Sequence, residues 1–86
     1  MTPEQQRRLL FILHRGLVEM RLLAMAGRMA ELRDLADALE PVPSWMANWR
    51  PEYWSAVEQN LRTYTSAHPD SFEYLKFLGD YDVPPF

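Results

Sequence analysis

Residues 21–32 read RLLAMAGRMAEL, and the place of Gly27 within them decides how the chain folds. On the N-terminal side Leu10, Leu13, Leu17, Met20 and Ala24 recur at three- and four-residue steps, winding an apolar stripe along one helical face. Beyond it a second stripe, Met25, Met29, Leu32, Ala36 and Leu39, keeps the period but changes phase. An unbroken helix over residues 3–40 would run about 55 Å, longer than a domain of this length is wide. The slip therefore predicts a break at residues 26–28, with Gly27 in the left-handed closing position and Arg21 facing the last carbonyls. The alternative is a continuous helix in an elongated dimer, since no proline enforces the break.

Working outward, Thr2-Pro3-Glu4-Gln5 is a helix start, with a capping hydroxyl, a proline at the first helical position and a glutamine that can reach back. Glu40-Pro41-Val42-Pro43 predicts the end of the second helix and an extended connector, because a proline disfavours helical geometry in the residue before it. Ser44 is then placed to cap a short turn through Trp45 to Trp49. Pro51 and Glu52 open a third helix whose stripe is Trp54, Val57, Leu61 and Tyr64, and His68-Pro69 closes it. Asp70-Ser71-Phe72-Glu73 starts a fourth, with Gly79 as its stop and an extended tail to Phe86. The β-branched residues are scattered, not alternating, so no strand is predicted. The expected fold is all-α, a single domain over 1–86. It is a small orthogonal or up-down bundle of about four helices (3–26, 28–40, 51–67, 70–78) with an extended C-terminal tail.

Composition limits what such a domain can do. At 86 residues, 48% hydrophobic and 24% charged, there is material for one packed core and no sign of disorder. The absence of cysteine removes disulfides and thiolate zinc sites and fits a cytoplasmic protein. No apolar run approaches the roughly 18 to 20 residues of a membrane span, and Leu9 to Leu13 is too short for a secretion signal. The net charge of −3 divides unevenly. Residues 1–33 carry six arginines against three glutamates, while residues 34–86 carry three basic residues against nine acids. That asymmetry suits pairing with an oppositely charged surface.

Candidate chemistry is thin. His14 and His68 titrate nearest neutrality, but neither has a paired nucleophile or base in the sequence, so both read as structural. Glu31, Asp34, Asp37 and Glu40 repeat every three residues, a spacing that di-metal bundles use, yet without a Glu-x-x-His partner they read as a solvated face. No Gly-x-Ser-x-Gly and no phosphate loop is present. The arginine edge (Arg7, Arg8, Arg15, Arg21, Arg28) raises nucleic acid and anionic membrane as partners. Both are set aside, because the acidic half repels phosphate and the apolar face is needed for the core.

The aromatic residues remain. Ten of the eleven lie within residues 45–86, more than a core of this size absorbs. Trp54 and Phe72 have core spacing, whereas Trp45, Trp49, Tyr53, Tyr81 and Phe86 fall on connectors and the tail. The expectation is a non-enzymatic protein-interaction module of inhibitor, immunity-type or accessory kind, with neither cofactor nor metal. Those five rings, with Glu52, Asp80 and Asp82, would dock an acidic, aromatic surface on a basic protein partner. Two alternatives stand beside it. One is a homo-oligomer, such as a homodimer, in which Leu10, Leu13, Leu17 and Met20 of two copies pack together. The other is a small metal-dependent or His-using enzyme.

Overall fold

A computed structural model describes residues 1–70 of the chain and shows an all-α fold. Four helices occupy the described residues: α1 (Pro3–Met25), α2 (Met29–Leu39), α3 (Val42–Ala47) and α4 (Glu52–Ala67). The helix expected over 70–78 and the tail beyond it lie outside the described residues. The other three expected helices are present, each within one residue of its anticipated ends.

Local chemistry sets both ends of α1. The Thr2 hydroxyl accepts from the Gln5 backbone N–H, and the Thr2 N–H donates to Gln5 Oε1, each at 3.1 Å, a complete capping box. At the other end Gly27 has φ 73°, the left-handed conformation that a side chain would strain. Around it the Gly27 N–H donates to the Ala24 carbonyl and the Arg28 N–H to the Leu23 carbonyl, at 3.1 and 2.9 Å, which is a Schellman closure. The chain thus reverses where expected, and the longest dimension is 37 Å. Arg21 does not face the final carbonyls, because it falls just short of the last turn, which holds no basic residue. Arg28 reaches forward instead to Glu31 in the first turn of α2, through Nε to Oε1 at 2.7 Å and Nη2 to Oε2. That bond holds the guanidinium pKa above its ordinary value and puts a carboxylate at the positive end of the α2 dipole.

The connector after α2 is a correction to the sequence reading. Glu40 remains helical (φ −54°, ψ −43°) and Pro41 follows it at φ −75°, ψ −13°, so Pro41-Val42-Pro43 starts α3 where an extended segment was expected. Prolines in a first turn lack only N–H groups that have no helical acceptor, and Val42 between them is completely buried. Ser44 accordingly lies inside α3, where its carbonyl accepts from the Asn48 N–H at 3.1 Å and no side-chain cap forms.

A second correction concerns which face of α1 points inward. Leu9, Ile12, Gly16, Glu19 and Leu23 are its buried residues, a row rotated by about 100°, one residue, from the stripe the periodicity favoured. Leu10 and Leu17 are 47% and 64% exposed, Ala24 is exposed, and Leu13 and Met20 are half-buried. The second stripe is displaced likewise: Met25 and Met29 are exposed, Leu32 and Ala36 are half-buried, and only Leu39 is buried. The physical reason lies at Gly16. A Cβ built there would collide with Leu39 Cδ1, so the bare backbone lets α2 seat its leucine directly on α1. α2 packs on α1 and on α4, and α3 also touches α1. Leu35, Ala38 and Leu39 of α2, Val42 of α3, and Val57, Leu61 and Tyr64 of α4 complete the core.

This assignment predicts opposite outcomes for two truncations on one helix. Ile12→Ala should cost about 2–5 kcal/mol through the cavity it leaves, whereas Leu17→Ala should stay within about 0.5 kcal/mol. Urea unfolding measures both, and a larger loss at Leu17 than at Ile12 would return α1 to the face its periodicity favoured. Gly16→Val should overpack the Leu39 seat and lower the urea midpoint by a loss of about 1–3 kcal/mol.

Candidate interaction site

Three places in the described residues gather chemistry-bearing side chains: the α3–α4 junction, the cleft between α2 and α4, and the outer face of α1.

At the junction, α3 and the turn to α4 bring together three of the rings singled out from sequence. Trp45 stacks on Tyr53 with centroids 5.2 Å apart and planes 16° apart, and Trp49 meets the edges of both Tyr53 and Trp54 at 6.2 and 6.4 Å. These are the offset and edge-to-face arrangements that aromatic quadrupoles favour. All four rings are half-buried, and Trp45, Trp49 and Trp54 pack against the core. Trp49 and Trp54 also line an open groove of about 660 Å³ with Met1, Thr2, Gln5, Pro51 and Ser55. Glu52 is exposed in the first turn of α4 beside the cluster. The other residues assigned to that surface, Tyr81, Phe86, Asp80 and Asp82, lie outside the described residues.

Between α2 and α4, Asp34, Asp37, Ala38, Asn60, Thr63, Tyr64 and Ala67 line a cavity of about 410 Å³. His68 sits at its margin as the C-cap of α4. Its Nε2 is 2.7 Å from Asp34 Oδ2, and its ring lies 5.2 Å from that of Tyr64. A carboxylate that orients an imidazole is one half of a proton-transfer device. The lining offers no serine or cysteine to complete it, and the Thr63 hydroxyl already accepts from Gln59 Nε2 at 3.3 Å. The pair instead ties the end of α4 to α2, as does the Asn60 amide, which donates to the Ala38 carbonyl at 3.1 Å. The four periodic acids do not act together. Glu31 is engaged by Arg28 and Asp34 by His68, and among the described residues no three potential ligands converge on a metal position.

Along α1 the outer face carries Leu10, Leu17 and Ala24 in solvent, with Leu13 and Met20 on the flank nearer the core. Met25 and Met29, 75% and 59% exposed, extend this apolar surface around the Gly27 reversal. His14 is exposed beside it, in line with Arg7 and Arg21 at seven-residue intervals, and none of the three forms an ion pair with a described residue. Arg15 lies elsewhere on the helix, over the Phe11 ring at 5.6 Å. Periodicity alone places this stripe either in the core or between two copies, and the exposure of Leu10 and Leu17 is what the structure adds. No helix among the described residues is long and apolar enough to cross a membrane.

No protein-family model matches the chain, and no curated protein or solved structure gives a significant match. The geometry alone therefore carries the functional argument.

The His68–Asp34 tie should contribute modestly, since Asp34 is 42% exposed and water screens the pair. A double-mutant cycle of His68→Gln and Asp34→Asn, followed by urea unfolding, should return a coupling of about 0.2–1 kcal/mol. A coupling of zero would show that α4 is held to α2 by packing and the Asn60 hydrogen bond without the His68–Asp34 pair.

Proposed function

We propose that this chain is a non-enzymatic protein-interaction module whose principal docking surface is the outer face of α1. One observation carries the reading: Leu10 and Leu17 stand in solvent two turns apart on α1, and Met25 at its end and Met29 at the start of α2 are exposed beyond them, although α1 already buries a separate face in the core. Scattered exposed leucines are ordinary, but large apolar side chains exposed along one helix and around the corner that follows it support an interaction site. Each large aliphatic side chain covered there would add about 1.5–3 kcal/mol of favourable transfer before the costs of association.

A second reading rests on the ring cluster. The half-buried Trp45, Trp49 and Tyr53, with exposed Glu52 beside them, support the docking of a basic protein partner at the α3–α4 junction. Tyr and Trp suit this role because they offer large area with few rotors to freeze.

The two are separated by site-specific photo-crosslinking in the native host, with the crosslinking amino acid placed in turn at Leu17, Glu52 and exposed Gln59 on α4. Adducts to a protein should concentrate at Leu17. Adducts at Glu52 alone would transfer the function to the ring cluster, and equal yields at all three positions would remove the interaction reading.

A further inference from the structure

We infer that the α1 surface receives one class of partner, an amphipathic helix whose apolar seam is bordered by acidic residues. The inference rests on the proposed docking role of α1 and adds the chemistry of its occupant.

Leu10, Leu13, Leu17, Met20 and Ala24 alternate steps of three and four over two full heptads, the spacing by which one helix lodges its side chains between those of another in a left-handed pair. Taking Leu10 as the first position of a heptad, the fifth position falls on Arg7, His14 and Arg21 in successive heptads, all exposed. The seventh position falls on Leu9, Gly16 and Leu23, all inside the protein's own core. The seam therefore has one free border, and that border is basic.

This asymmetry argues against a second copy as the occupant. In an antiparallel pair of α1 helices the fifth positions face each other, setting Arg7, His14 and Arg21 against the same residues of the other copy. In a parallel pair the fifth position faces the seventh, which each copy has already buried as Leu9, Gly16 and Leu23. A membrane surface fits less well. The exposed strip is narrow and carries no Trp or Phe, the rings that with Leu anchor interfacial helices. A partner helix carrying Glu or Asp along its border satisfies both the apolar seam and the basic edge.

The test uses the whole chain and two synthetic stapled 21-residue helices, each with leucine at the first and fourth heptad positions. One bears glutamate at the fifth and seventh positions, the other lysine. Like charges there keep each peptide from pairing with itself. Fluorescence anisotropy should show the glutamate helix binding about tenfold more tightly than the lysine helix, with the gap closing as salt rises. Leu17→Glu should abolish binding, and the double variant Arg7→Glu/Arg21→Glu should invert the preference. Circular dichroism checks that both variants remain helical, as exposed positions allow. Equal binding of the two peptides, or none, would overturn the inference. So would self-association of the chain that Leu17→Glu abolishes, or capture of the chain by phosphatidylserine vesicles in preference to the glutamate helix. If the glutamate helix fails while Leu17 still crosslinks to a protein, only the partner class falls; if both fail, the docking role falls with it.

Discussion

The seating of Leu39 on the bare backbone at Gly16 is the contact on which the rest of the arrangement turns. It requires α2 to come back along α1 at close range, which the left-handed Gly27 makes possible by reversing the chain within three residues. Once that contact forms, the orientation of α1 about its own axis is settled. Gly16 must face inward, and Leu9, Ile12 and Leu23 follow because they share its side of the helix. Leu10 and Leu17, one residue further round, are left in water for the same reason. The core and the candidate docking surface are thus two consequences of one close approach.

This explains why some of the fold was legible in the sequence and some was not. The capping box at Thr2 and Gln5 and the reversal at Gly27 depend on residues within one turn of each other, so their signals are local and the structure contains both. The choice of face on α1 is not local. Leu9 to Leu13 is apolar on every side, and periodicity permits more than one stripe. A reading that rewards apolar residues passes over the row containing Gly16 and Glu19. That row wins because a glycine buries backbone against Leu39, a fact that depends on a residue 23 positions away. The helical Pro41-Val42-Pro43 segment shows the same principle, since complete burial of Val42 outweighs the local preference of the residue before a proline.

The candidate sites divide in the same way. The aromatic concentration was visible, as was the placement of Trp45, Trp49 and Tyr53 near connectors, but their mutual stacking depends on how the turn at residues 48–51 sets the first turn of α4 against the rings of α3 and the turn itself. His68 and Asp34 are 34 residues apart, and nothing in either segment announces that they meet. The heptad spacing of Leu10 to Ala24 could be read directly, and only the side it faces was misjudged. One spacing thus served two readings, a core stripe and a seam between helices, and the structure leaves Leu10 and Leu17 exposed while Leu13 and Met20 pack against the core.

Length places a further demand on whatever covers α1. Two heptads are shorter than the three or four that sustain an independent helical pair, and a free helix of about 12–15 residues is marginal in water. For the proposed helical pair one member would already be folded, because α1 is held by its core face and capped at both ends, so the ordering cost would fall on the partner alone. Even so, a seam of two heptads would bury less than the roughly 1,600 Å² of a standard stable interface. Met25 and Met29 lie at the corner where α1 turns into α2, and their unbranched, adaptable side chains can extend the contact beyond Ala24. A partner that follows the seam to that corner passes Arg21 on its way, so apolar area and charge complementarity increase together along the same path.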